Sequence, residues 1–362
     1  MTHYEERLEK DLTRIREGVS AVAGQVEDAL KSGVHALLTG NQKLANATVL
    51  GDAPINRAVR DIDRMCHAFI ALHLPPAGHL RLISAVIRVA IELERIGDYA
   101  VTIGRESVQL SRPPEGIVAR ELERMAEDSR RMLQQAVAAF DANSAEQARA
   151  TMGMADQVER SFDTVFDELT AEGSSWSTKE LFGLFVVFNM LERVSDQAKN
   201  ICEETVFAAT GQTKKAKVYK ILFVDEDNSC QSQMAEALVR KNYPNSGNYA
   251  SAGRHAASAA NPAMVDFLEQ RGCKAKGAPT LLDMTHEELA GYHVIVGLNQ
   301  PVKSLVPEVP FHTAYLEWDV GPAPEDGQDA AENTRRLEEM YRELSANLRN
   351  LIETLRGEQE AT

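Results

Sequence analysis

A charged phrase that recurs 98 positions along the chain restricts the fold more than any other feature. Leu93-Glu94-Arg95-Ile96-Gly97-Asp98 returns as Leu191-Glu192-Arg193-Val194-Ser195-Asp196. Each copy lies in an apolar seam of strict 3,4 spacing. The seams are Val86, Val89, Leu93, Ile96, Ala100 and Ile103, then Leu184, Val187, Leu191, Val194, Ala198 and Ile201. That spacing is one face of an α-helix. Coiled-coil packing alone can make two seams converge, but it does not place the same charges in matching register. A duplicated three-helix unit is therefore expected.

The remaining periodicity fills in the plan. Residues 1–210 read as helix throughout, with repeats over about 1–112 and 113–210. The expected helices cover the start of the chain, 44–74, 77–110, 116–141, 144–172 and 177–209, with Pro75-Pro76 and Pro113-Pro114 as stops. Residues 211–217 form a polar, basic linker. From 218 the texture becomes strand (218–224), helix (232–241), strand (248–252), helix (262–271), strands at 293–298 and 312–316, and a last helix over 331–355. Its stripe of Leu337, Met340, Leu344, Leu348, Leu351 and Leu355 is suited to closing a sheet. The fold class is thus multidomain, all-α followed by α/β with a mainly parallel sheet over 218–357 and a tail at 358–362.

Charge and cysteine usage exclude several classes. The formal charge is −15; up to residue 217 there are 26 basic and 32 acidic residues, and beyond it 13 and 22. Neither half suits a nucleic-acid backbone. The longest nearly unbroken apolar run, Leu181 to Leu191, is about half a bilayer span. The opening residues lack the apolar core of a signal peptide. Cys66, Cys202, Cys230 and Cys273 form no CxxC pair, which fits a reducing compartment. A soluble, cytoplasmic protein without membrane insertion is expected.

Glu94 and Asp98 stand four apart, as do Glu192 and Asp196, so each pair shares one helical face. Like charges at this spacing repel unless something neutralises them. A hard or borderline cation is one partner, and Asp52 and Asp63 in the first repeat, or Asp156 and Asp167 in the second, could complete its shell. Pairing with Arg95 and Arg193, or simple solvation, is the alternative. The phrase at Leu93 to Asp98, preceded by Pro76-Ala77-Gly78-His79-Leu80-Arg81, resembles the phosphate-uptake regulator PhoU over roughly 1–210. The resemblance implies two three-helix bundles with multinuclear metal clusters at the Glu/Asp-x-x-x-Asp motifs. Iron, zinc, nickel and magnesium are not distinguished. It also implies action beside a phosphate ABC transporter ATPase or a phosphate sensor kinase. His79 departs from the family's usual Asp.

The segment Ile221 to Ala237 places a loop between a buried strand and a helix N-terminus, a natural anion-binding geometry. With Ser251-Ala252-Gly253 it resembles the low-molecular-weight tyrosine phosphatase and arsenate reductase family over about 218–357. That family's loop is Cys-x5-Arg-Ser, its thiolate attacking the oxyanion and its Arg clamping it. Here Asp225 holds the nucleophile's position, Gln231 the Arg position and Ser232 the Ser position. Gly321 stands where the general acid Asp is implied, with Asp319 two residues earlier. The later redox cysteines are absent as well. Cys230 matches the second loop cysteine of many members.

A pseudoenzyme follows from these losses. Asp225 to Asp227 would cap the helix or hold a cation. The expected function is regulation of phosphate uptake and starvation signalling through metal-dependent protein contacts. The degenerate domain would be a docking, sensing or dimerising module, with a homodimer as one option. The rival is an active phosphatase or arsenate reductase with non-standard chemistry. His73 and His79 flank a Pro-Pro turn and offer a further metal pair, although turn histidines are usually just exposed. Trp318 suits a packing role.

Overall fold

A computed structural model describes residues 3–155, 158, 176–213, 218–306, 308–310, 313–325 and 329–357. The chain divides into two compact units, Met1–Lys215 and Ala216–Thr362.

The first unit is helical. Its described helices are α1 (His3–Thr39), α2 (Gln42–Leu50), α3 (Asp52–His73), α4 (Ala77–Gln109), α5 (Gly116–Asp141), α6 (Ala145–Met152) and α7 (Thr178–Thr210). Local chemistry sets their ends. The Asn41 side chain accepts from the Leu44 N–H to start α2. Ser177 and Glu180 form a capping box at α7, which ends at Gly211 with φ +75°. One expectation needs correction, since the single helix over 44–74 is two helices broken at Gly51. Pro54 explains the break, because its ring would clash with the Leu50 carbonyl in a continuous helix and it has no N–H to donate. In the first turn of α3 neither defect matters. Of the helix expected over 144–172, α6 covers the start, and 159–175 lie outside the described residues.

Helices α4 and α7 form the centre of the unit. All twelve seam residues are fully buried. Burying such a side chain contributes about 1.5–3 kcal/mol for each Leu, Val or Ile. α4 also packs on α1, α2 and α3, while α7 packs on α5 and α6. The two central helices run antiparallel. Arg88 Nε donates to Glu204 at 2.7 Å, and Asn200 donates to Glu92 at 3.3 Å. Beyond these contacts Gln197 donates to the Tyr99 hydroxyl at 3.2 Å, and these residues are 98 positions apart. Contact between equivalent positions is the signature of a two-fold axis, here an internal one relating the two repeats.

The second unit alternates strand and helix: β1 (Tyr219–Asp225), α8 (Gln231–Asn242), β2 (Gly247–Gly253), α9 (Pro262–Gln270), α10 (His286–Ala290), β3 (Val294–Leu298), α11 (Val302–Leu305), β4 (Ala314–Trp318) and α12 (Ala330–Arg356). The strands form a four-stranded sheet of order β2-β1-β3-β4, every pairing parallel. Alternation along β1 sends Ile221 and Phe223 to one face, with α8, α9 and α12, and Leu222 and Val224 to the other. The stripe of α12 is buried from Leu337 to Leu351, as its spacing predicts. Trp318 packs its ring 6.2 Å from that of Phe223. The last strand begins two residues later than expected, and the short helices α10 and α11 were not anticipated. Strand order reverses at β1, so the crevice beyond its carboxyl end is where a ligand would bind in such a sheet. The loop from Asp225 to Gln231 sits there. Among the described residues, no helix is long and apolar enough to cross a membrane.

Candidate functional site

In the first repeat, α4 carries Glu94 half-buried and Asp98 exposed one turn later. The start of α3 faces this turn, as Ile55 lies 3.5 Å from where a Cβ on Gly97 would stand. Asp52 is therefore close to Asp98. Burial, then the nearby Asp52 charge, push the Asp98 carboxyl above the usual range, against a smaller pull from Arg105. One oxygen of Asp52 accepts from Asn56 Nδ2 at 2.8 Å. The other, Oδ1, is buried and has no protein hydrogen-bond partner among the described residues, and the same holds for Asn56 Oδ1. Two open acceptors beside a second carboxylate form an oxygen-only donor set suited to a cation. Among the described residues, no three His, Cys, Asp or Glu side chains converge, so two carboxylates and the amide oxygen of Asn56 are all that this set offers. Four residues after Asp52 on one helix, Asn56 had a readable position, but its amide gave no charge signal.

The other acidic candidates are placed differently. Asp63 stands 3.4 Å from His67 on its own helix, about 16 Å along α3 from Asp52. Glu192 and Asp196 are half-buried on α7, and Arg193 lies 3.4 Å from Asp196. In the first repeat Arg95 turns instead to Glu92 at 3.2 Å, which leaves Asp98 without the equivalent pairing. Asp156 and Asp167 lie outside the described residues. His73 is buried against Asp11, its Nε2 2.8 Å from Oδ2.

In the second unit, Asp225 is buried at the base of the loop after β1. Its Oδ1 accepts the Asn228 N–H at 2.6 Å and its Oδ2 the Ser232 N–H at 2.8 Å. Asp227 accepts the Ser229 N–H at 2.9 Å. Backbone donors of the kind that cradle an oxyanion are thus held by the loop's own carboxylates. Burial pushes the Asp225 carboxyl up, opposed by the Ser232 and Asn228 donors. Asn228 adopts φ +52° and bridges the loop, donating to Ser232 Oγ at 2.8 Å and accepting from the Thr280 N–H at 2.7 Å. Loop carbonyls are also taken, with Arg254, His255 and Ala257 donating backbone N–H groups to Asp225, Glu226 and Asp227. Gly253 makes this approach feasible, because a Cβ there would meet the Asn228 nitrogen at 2.5 Å.

Gln231 opens α8 without supplying a cation. Gly321 lies at φ +81°, a conformation that disfavours the Asp of the family pattern, and Asp319 accepts its N–H at 3.2 Å. Cys230 is buried, and burial with the Asp225 and Asp227 charges pushes its thiol far up. Burial also pushes the Cys66 and Cys202 thiols up to about 12. None of these three is poised as a thiolate. Two basic groups near the loop escaped the sequence reading. His255 lies 2.8 Å from Glu226, and Arg254 donates to the Ser304 carbonyl. Only the folded β2–loop contact brings them there.

Comparison with known proteins agrees with this division. Residues 19–107 and 122–205 match the PhoU domain. Residues 220–361 match low molecular weight phosphotyrosine protein phosphatase. A phosphate-specific transport system accessory protein PhoU homolog of Pseudomonas putida is 29% identical over 214 residues, 58% of this chain and 83% of the relative. The crystal structure of PhoU from Pseudomonas aeruginosa is 29% identical and covers 56% of this chain and 99% of that one, with a TM-score of 0.53. An arsenate reductase from Archaeoglobus fulgidus DSM 4304 is 25% identical and covers 35% of this chain and 98% of that one, with a TM-score of 0.29. The chain carries a PhoU domain followed by a low molecular weight phosphotyrosine protein phosphatase-like domain.

Proposed function

We propose that this chain, a PhoU domain joined to a phosphatase-like domain, regulates phosphate uptake and phosphate-starvation signalling through metal-dependent contact with a phosphate ABC transporter ATPase or a sensor kinase. The observation that carries this reading is a pair of buried oxygens without a protein partner among the described residues, Asp52 Oδ1 and Asn56 Oδ1, with Asp52 close to Asp98. The relatives' role as accessory proteins of phosphate-specific transport supports it. Asp52, Asn56 and Asp98 would hold the cation, with Glu94 one turn behind. A bound cation would neutralise these carboxylates and present positive charge to acidic or phosphate groups of a partner. Asp98 and Asp52 serve by fixing that charge on a rigid helical face.

The phosphatase-like domain is read as a docking or sensing module without turnover. Asp225 in place of the nucleophile and Gln231 in place of the clamp support this, as does the occupation of the loop donors by Asp225 itself. An oxyanion approaching the loop would meet three acidic side chains and compete for N–H groups already taken.

Arg254 and His255 favour a second reading, an enzyme with altered chemistry, because a carboxylate nucleophile needs nearby positive charge. Hydrolysis of p-nitrophenyl phosphate by wild type and Asp225→Asn separates the two. No turnover in either is expected, whereas turnover lost in the variant would overturn the pseudoenzyme reading. The regulatory reading is tested by co-purification with the phosphate transporter ATPase and with the sensor kinase, with and without chelator. Binding to one of them that weakens both with chelator and in Glu94→Ala/Asp98→Ala is the expected result. Binding indifferent to both treatments would contradict metal dependence.

A further inference from the structure

We propose that the groove between α9 and α12 is a separate binding site for a linear anion of linked phosphates. This open groove, of about 580 Å³, falls within the size range of ordinary ligand sites. Ser345 and Ala346 keep its floor low, and Arg271, Arg342 and Arg349 line it. Three guanidinium groups in one concavity stand out in a unit that carries 13 basic and 22 acidic residues after position 217.

The other arginines of α12 are engaged. Arg335 pairs with Glu332 and Glu339, Arg336 with Glu325 and Glu332, and Arg356 donates to Ser246. Arg342 and Arg349 are exposed and make no hydrogen bond or ion pair among the described residues. Their charge is uncommitted. Arg271 is held in place, with its guanidinium carbon 3.6 Å above the Phe267 ring, 5.6 Å from the Tyr341 ring, and a nitrogen 3.4 Å from Glu338. Lys241, outside the groove, donates to the Arg271 carbonyl.

Spacing and chemistry select the ligand. Arg342 and Arg349 are seven residues apart, about 10.5 Å along the helix, too far to share one phosphate and suited to a chain of them. Guanidinium forks bind phosphate oxygens bidentately, and every cation lining the groove is Arg. The unit's net negative charge opposes approach only weakly, since its field is screened over about 8 Å at physiological ionic strength. Tyr341, partly exposed in the groove, offers ring surface to a ligand that also carries a base. The site is independent of the loop at Asp225 and of the acidic pairs on α4 and α7, so its fate does not decide theirs.

The test is calorimetric titration of the full chain with sodium triphosphate, ATP and orthophosphate. Triphosphate should bind at least about tenfold tighter than orthophosphate, since only the chain reaches two forks. Arg342→Gln/Arg349→Gln should weaken it by about tenfold or more with an unchanged melting curve, because both side chains are exposed. Arg342→Lys/Arg349→Lys keeps the charge, loses the fork and should fall between. Gln231→Ala should leave binding unchanged. ATP tighter than triphosphate assigns the Tyr341 ring to a nucleotide base, and equal affinity assigns the site to phosphate chains alone. Absence of triphosphate binding, equal binding by wild type and both double variants, or loss of binding in Gln231→Ala would overturn the proposal. So would binding of a poly-glutamate peptide with no binding of triphosphate.

Discussion

Each unit holds an aspartate whose carboxyl is pushed up by desolvation, Asp98 on an exposed turn beside Asp52 and Asp225 buried in its loop, yet the surroundings answer them in opposite ways. Around Asp225 the backbone supplies N–H donors to both oxygens. Near Asp98, Asp52 Oδ1 and the Oδ1 of its partner Asn56 are met by no protein donor among the described residues. Donors met by a carboxylate make a structural cap, which closes a loop and leaves little for an incoming anion. Acceptors met by nothing make a demand that water or a cation must satisfy. The same residue type thus gives a lock in one unit and a socket in the other.

The largest effect should come from breaking the lock. Asp225→Ala strips two buried N–H groups of their acceptor and should destabilise the second unit by about 2–5 kcal/mol in denaturant unfolding. Added phosphate should restore part of that loss by taking the vacated donors. Asp225→Asn keeps one acceptor and should cost less. The opposite holds at the socket. In the metal-free protein, Asp98→Asn relieves repulsion with Asp52 and should change stability by no more than about 0.5 kcal/mol, because the side chain is exposed and screened. A loss comparable to that of Asp225→Ala would erase the contrast.

Metal should sharpen it. A cation at about 100 times its dissociation constant should raise wild-type stability by about 2.7 kcal/mol, and the gain should vanish in Asp52→Ala/Asp98→Ala. Acidity gives a further handle. Because the folded carboxyl of Asp98 is raised, its contribution to metal-free stability is present below the unfolded value of about 3.9 and is lost as pH rises through the folded one. Metal requires the ionised form, so affinity should fall on acidification from a pH above the ordinary Asp range. The smallest effect belongs to the second repeat. Arg193→Ala should cost under about 0.5 kcal/mol while raising metal uptake at Asp196, since the exposed pair competes with a cation.

The helical seams could be read directly from sequence, because a 3,4 spacing sustained over two stretches leaves a helix one face to bury. The break at Gly51 was hidden, since the apolar period runs through it and only the Pro54–Leu50 clash enforces it. Helices α10 and α11 are too short for any period to show. Missing catalytic groups could be read position by position at Asp225, Gln231 and Gly321. What fills the loop could not, because the donors on Asp225 depend on the turn at Asn228 and on Gly253 against it. Asn56 escaped for a similar reason: an amide counts as a cation ligand only once burial leaves its oxygen without a partner.

The most direct test is elemental analysis of the purified protein after reconstitution with iron, zinc, nickel and magnesium, comparing wild type, Glu94→Ala/Asp98→Ala, Glu192→Ala/Asp196→Ala and Asp225→Asn. Metal present in wild type and Asp225→Asn, and reduced in Glu94→Ala/Asp98→Ala, is the predicted result. No metal in the wild type, or equal content in wild type and Glu94→Ala/Asp98→Ala, would contradict the open-acceptor account.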